Sequence, residues 1–236
     1  MKALTPEITL GEVVTQRPGS ARILESLGLD YCCGGGRSLA DACRDEGVDP
    51  ADVIHRLGEV PGGPAPDWSR MGPAQLVDHL EATHHAFLHT ELARLGSLAD
   101  KVAGVHGDRH PELHDVRHTC AALRADLEPH LMKEEQVLFP MIRELDGADT
   151  SPQFHCGTLQ NPISVMMSEH DRAGELLAEL RRLSDGFSVP PDACASYTAL
   201  YRGLAEFETD THMHVHKENN LLFPAVLALE AELSRR

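Results

Sequence analysis

His130 and Glu134 stand four residues apart, and so do His214 and Glu218. On a helix that spacing stacks two side chains one turn apart on a single face, where they can converge on a metal ion. The surrounding residues repeat as well. Residues 130–140 read HLMKEEQVLFP and residues 214–224 read HVHKENNLLFP, and both fit His-x-x-Lys-Glu-x-x-x-Leu-Phe-Pro without a gap. The pairs His130/His214, Glu134/Glu218 and Pro140/Pro224 are each separated by 84 residues, the mark of an internal duplication.

The elements that must position these residues are helices. Four long helical patterns run over roughly 73–103, 111–146, 162–185 and 191–232, broken at 104–111, 147–162 and 185–191. In the second pattern the stripe is Val116, Cys120, Leu123, Leu127, His130, Glu134; in the fourth it is Leu200, Leu204, Phe207, Thr211, His214, Glu218. Both have the spacing of a core-facing helix in a bundle, which puts the histidines and glutamates on the buried face, at the end of a mostly apolar stripe. The first and third patterns match with an offset of 85, placing His85 opposite His170. The expected fold is therefore all-α: a four-helix bundle made of a doubled αα-hairpin.

Ahead of the bundle lies a small helical unit, residues 1–59. Thr9-Leu-Gly-Glu12 has the form of a capping box, and Gly28 closes a helix expected over 18–27. Ser38 caps a third helix, and Asp49-Pro50 opens a fourth that should end before Gly58. Residues 60–71 are Pro/Gly-rich and read as a linker, which leaves residues 72–236 to the bundle.

Charge narrows the function classes. A formal net charge of −16 argues against nucleic-acid binding, which relies on Lys and Arg to neutralise phosphates. No apolar run approaches the ~20 residues needed to span a bilayer, and the N-terminus lacks a signal-peptide core. A cytoplasmic protein with reduced cysteines is expected.

A lone histidine on an apolar helix face is ordinarily a hydrogen-bonded core residue. The glutamates change that reading, because a buried ionised carboxylate costs several kcal/mol, and two would consume much of a typical ~5–15 kcal/mol net stability. Lys133 and Lys217 lie about 100° round the helix from Glu134 and Glu218 and do not neutralise them. Metal ions would. Six ligands, His85, His130, Glu134, His170, His214 and Glu218, exceed a tetrahedral structural zinc site. With both glutamates bridging, they suit two ions, each with two histidines. Mixed imidazole and carboxylate ligation fits iron, although ligand type also admits manganese or zinc.

Of the fifteen histidines, His89 is the rival ligand, one turn from His85. His84, His212 and His216 turn away from the stripes, towards the surface or the back of the ligands. His79, His106, His110, His114, His118 and His155 are expected to face solvent. Glu169 is either an acid supporting a ligand from behind or an exposed helix residue. Cys32-Cys33 lies in a glycine-rich loop just before a helix N-terminus, which would lower a thiol pKa. Two readings stand: a reactive or metal-passing thiol pair, or two small residues filling a tight loop.

Asp30-Tyr-Cys-Cys-Gly-Gly35, the linker, His85, His130-x-x-x-Glu134-Glu-x-x-Leu-Phe-Pro, Ser168-Glu-His170-Asp and His214-x-x-x-Glu218-Asn-Asn-x-Leu-Phe-Pro together resemble the iron–sulfur cluster repair di-iron family (RIC, of the ScdA and YtfE type). The resemblance covers nearly the whole chain. It implies a hemerythrin-like antiparallel four-helix bundle preceded by a small Cys-containing domain. It further implies two non-haem iron ions, bridged by two glutamates and an oxo or hydroxo group, and held by the same six residues. Oxygen-carrying hemerythrins have an additional His and an Asp ligand, which this chain lacks. The implied role is restoring iron–sulfur clusters damaged by nitric oxide or peroxide, as a cytoplasmic homodimer whose partners are the damaged proteins. Pairing His85 with His214 and His130 with His170 is expected for the two irons, with Cys32 and Cys33 assisting transfer. The alternatives are an O₂/NO sensor or carrier, and an enzyme reducing NO or peroxide. Gly36 and a longer loop containing His155 and Cys156 depart from the family pattern.

Overall fold

A computed structural model of the chain describes residues 2–60 and 67–235. Residues 61–66, the centre of the expected linker, lie outside the described residues. No β-strand occurs among the described residues, and the two isolated bridges, Thr9–Ser38 and Phe154–Gly157, tie loops.

The small unit comprises α1 (Leu10–Gln16), a 3₁₀ turn (Pro18–Ser20) running into α2 (Ala21–Ser26), α3 (Leu39–Glu46) and α4 (Pro50–Glu59). Thr9 and Glu12 form the capping box reciprocally, each bond 3.2 Å long. Ser38 Oγ accepts from the Asp41 amide at the start of α3. Gly28 takes φ +70°, the left-handed value that ends α2. Gly58 does not end α4: it sits inside the helix, which stops at Glu59. Lacking a β-carbon, it costs roughly 1 kcal/mol against Ala in a helix, and the buried Val53 and Leu57 hold the helix regardless.

The bundle consists of α5 (73–106), α6 (112–146), α7 (Gln160–Leu183) and α8 (195–233). Three of them carry a π-helical turn: Glu81–His85 in α5, Glu134–Leu138 in α6 and Glu218–Leu222 in α8. The repeated Leu-Phe-Pro explains the last two. Pro140 and Pro224 have no N–H for the ladder, and their rings clash with the carbonyl four residues back. The amides of Phe139 and Phe223 reach back five residues, to the carbonyls of Glu134 and Glu218. The turn in α5 has no proline.

Two apolar clusters fill the bundle. One contains Leu88, Leu92, Val116, Leu123, Leu177, Leu200 and Phe207, the other Leu76, Leu80, Phe139, Ile142, Ile163, Phe223 and Val226. The layer of histidines and glutamates lies between them, so it interrupts the apolar stripes where the sequence pattern placed it at their end. The loop with His155 and Cys156 packs Phe154 and Cys156 on the second cluster. A third cluster belongs to the small unit, and Val215 of α8 joins it, docking the unit on the back of α8. No helix among the described residues is long and apolar enough to cross a membrane.

Leu123, 2% exposed in the first cluster, reports on this packing. Leu123→Ala should cost about 2–5 kcal/mol in urea unfolding, and an unchanged midpoint would contradict the assigned core.

Candidate metal centre

All six expected ligands meet in the polar layer. Glu134 and Glu218 are 0% exposed and His85, His130, His170 and His214 are 1% exposed. Two groups of ligand atoms form around the shared glutamates: His85 and His214 with Glu134 and Glu218, and His130 and His170 with the same two. Within each group the ligand atoms lie within 4.8 Å of one another.

The imidazole nitrogens explain why the layer suits cations. His85 Nδ1 donates to Glu135 at 2.9 Å, His130 Nδ1 to Glu169 at 2.9 Å and His170 Nδ1 to Asn219 Oδ1 at 2.9 Å. A proton on Nδ1 leaves Nε2 as a lone pair aimed inward. Those inward nitrogens face each other, His85 with His214 and His130 with His170, at 3.2 Å in each pair. Glu218 presents Oε1 to His214 at 3.0 Å and Oε2 to His170 at 3.1 Å, one oxygen towards each group. Glu134 Oε2 stands 3.5 Å from His85 and 3.4 Å from His130, and neither Glu134 oxygen makes a hydrogen bond among the described residues.

Burial drives His130 down to about 4 and His214 down to about 3, so both imidazoles are neutral, the form that binds metal. Burial and the neighbouring Glu218 hold Glu134 well above the usual carboxylate range. For Glu218 burial pushes upward, but His214 and His170 outweigh it and keep the group low. Three unpartnered carboxylate oxygens, both of Glu134 and Oε2 of Glu218, facing imidazole nitrogens and apolar walls, make a cradle for positive charge. The residues fit a metal pair.

The other histidines separate clearly. His89 is outside both groups, half-exposed, and donates to Glu135, which it shares with His85. Glu169 supports His130 and is bonded in turn by Lys133. His84 is buried, between Asp210 and Lys217. His216 is fully buried against Thr15 and the Tyr31 carbonyl, and half-buried His212 stands 3.5 Å from Glu25. Their helix positions turn these two away from the polar layer, towards the small unit that covers the back of α8. His106, expected in solvent, is 5% exposed, 5.4 Å from the Tyr197 ring and 3.2 Å from Cys194 Sγ. It continues the stripe Ala99, Val102, Ala103, a signal that was present in the spacing. His79 and His110 are half-buried, and His114, His118 and His155 are exposed. Glu135 and Asn219 were missed as supports, although both follow a ligand glutamate by one residue in the repeat.

Cys32 does not behave as a lowered thiol. It is 7% exposed, and the adjacent Cys33, burial and Asp30 raise it well above the ordinary thiol range. The carboxylate of Asp30 organises the loop around it, accepting from the amides of Cys32, Cys33 and Gly34 and from the Cys32 thiol. Cys33 is half-buried and lines a cleft of about 450 Å³ between the loop and residues of α7 and α8, including Asp171, Arg181 and His212. Asn220 fastens the loop, donating to the Cys32 carbonyl at 3.0 Å.

Residues 75–226 match the model of the Hemerythrin HHE cation binding domain, and residues 6–60 match that of a Domain of Unknown function (DUF542). A probable iron-sulfur cluster repair protein of Haemophilus influenzae is 37% identical over 222 residues, covering 92% of this chain and 96% of that protein. The iron-sulfur cluster repair proteins YtfE of Salmonella paratyphi B and Salmonella newport are each 35% identical over 222 residues, covering 94% of this chain and 97% of those proteins. Fold, layer and matched model define the class, a hemerythrin-like cation-binding bundle. With both regions matched and relatives similar over nearly its whole length, the chain belongs to the hemerythrin-like iron–sulfur cluster repair family.

A β-carbon at Gly35 would stand 2.2 Å from Asn220 Oδ1 and 2.5 Å from the Tyr31 carbonyl oxygen. Gly35→Ala should therefore push the loop off α8 and speed alkylation of Cys32, read by mass spectrometry of its peptide. An unchanged rate would show that Asn220 does not hold the loop.

Proposed function

We propose that this protein repairs iron–sulfur clusters damaged by nitrosative or oxidative stress, and that it does so with two iron ions held by His85, His130, Glu134, His170, His214 and Glu218. The observation that carries the reading is Glu134, a fully buried carboxylate with neither oxygen hydrogen-bonded. The names of the similar Haemophilus and Salmonella proteins support the repair role. The partners would be damaged iron–sulfur proteins, with NO, O₂ or peroxide as small ligands, and the working form a cytoplasmic homodimer.

When bound, the iron pair supplies redox chemistry towards small oxidants and a cation that can be passed to a damaged cluster. The chain's own residues set the conditions for this. Glu135, Glu169 and Asn219 fix three of the histidines so that Nε2 points inward. Glu134 and Glu218 would bridge, each shared by both groups. The apolar clusters above and below exclude water and strengthen every electrostatic contact within the layer. Cys32 and Cys33 both line the cleft beside the bundle, and Cys33, the less buried and not bonded to Asp30 through its thiol, would be the one to meet an incoming group.

Glu134→Leu tests the site and the reason for it together. The variant should no longer hold two irons tightly, by metal analysis, and should lose its repair of an enzyme whose cluster NO has damaged. Without metal it should be more stable than the wild type by about 1–3 kcal/mol, because a buried carboxyl group with no hydrogen-bond partner is gone. Two tightly held irons in the variant would sink the site. Wild-type protein that fails to accelerate recovery of the damaged enzyme would sink the repair role.

Removing the metal should lower the stability of the wild type. Iron at about 100 times its dissociation constant should restore about 2.7 kcal/mol, seen as a rise in Tm on adding ferrous iron without oxygen. An unchanged Tm would contradict a buried metal site.

A further inference from the structure

The duplicated halves differ in how they hold the ligand histidines from behind. His130 Nδ1 donates to Glu169, and Lys133 bonds Glu169 from the other side. Lys217 stands 84 residues after Lys133, so the lysine is repeated. The residue 85 before Glu169 is His84, so the carboxylate is not. Both nitrogens of His84 are committed elsewhere, Nδ1 to Asp210 at 2.9 Å and Nε2 to Lys217 at 2.7 Å. Its ring lies tilted beside that of His214, centroids 5.8 Å apart, and offers no acceptor. His214 Nδ1 is buried without a hydrogen-bond partner among the described residues.

The other pair of supports does not compensate. His85 is backed by the carboxylate of Glu135 and His170 by the neutral amide of Asn219. At the His130/His170 position both imidazoles are therefore held, while at the His85/His214 position one is held and one is not. An N–H donated to an acceptor fixes the ring and raises the basicity of the opposite nitrogen, and losing such a partner typically costs 10–100-fold in metal affinity.

We propose that the two metal positions are unequal and that the iron at His85/His214 is the one given up first. His84 sets this difference as a positioning residue, acting through His214 by standing where a carboxylate would support it. The proposal rests on the di-iron reading above and names which iron that reading delivers. The unequal supports suit a protein that must hold one metal while passing on the other.

The test is release of iron from the full-length protein, loaded with two ferrous ions without oxygen and mixed with a chromogenic ferrous chelator. Two phases of one iron each are expected, about 10–100-fold apart in rate. In His84→Glu the new carboxylate keeps Lys217 as its partner and accepts from His214, so the fast phase should slow towards the other. Glu169→Gln should speed the slow phase and leave the fast one unchanged, which general loosening of the fold would not do. Release of both irons in a single phase, or a fast phase that His84→Glu leaves unaltered, overturns the proposal. Failure of the wild type to take up two irons overturns the di-iron reading itself, and the inequality with it.

Discussion

Two carboxylates with no exposure, Glu134 and Glu218, sit between two apolar clusters, and the rest of the bundle is arranged around that constraint. Neither cluster offers them a proton donor, and three of the four imidazoles around them, His85, His130 and His170, face inward with lone pairs. Cations between the carboxylates would convert the costliest layer of the bundle into a strong cross-link among all four helices. The internal repeat follows from the same requirement. A doubled hairpin would supply each of two ions with two histidines and let each glutamate serve both. The Leu-Phe-Pro that ends each motif forces a π turn beginning at the ligand glutamate.

The small unit is bound to this layer through adjacent residues. Asn219 supports His170, and Asn220 fastens the Cys32 carbonyl. Gly11 of α1 and Gly35 of the loop belong to the same contact, since both leave room for the Asn220 side chain. One dipeptide, placed directly after Glu218, thus joins the thiol loop to the buried polar layer. A displacement of the loop would be felt at His170, and the cleft beside Cys33 lies along the same seam of α7 and α8.

The bundle and its buried layer of histidines and glutamates were legible because helical periodicity is a property of a single chain segment. The twelve stripe positions of α6 and α8, from Val116 to Glu134 and from Leu200 to Glu218, are all buried. Positions facing outward were harder to read. His84 and His216 turn away from the stripes of their own helices, but a helical wheel does not reveal what packs on the far side. Lys217 and the small unit fill that space. Cys32 misled for a related reason: the loop before a helix promised a lowered thiol, whereas the adjacent Cys33, burial and Asp30 raise it. Gly58 misled because a glycine marks a helix end only where the chain needs a left-handed turn, and α4 continues through it.

The most direct test of a paired metal layer is X-ray absorption on the iron-loaded protein. The account predicts an iron–iron scattering path together with a first coordination sphere of mixed imidazole nitrogen and carboxylate oxygen. Isolated iron with no metal neighbour, or a sulfur-rich coordination sphere, would contradict it.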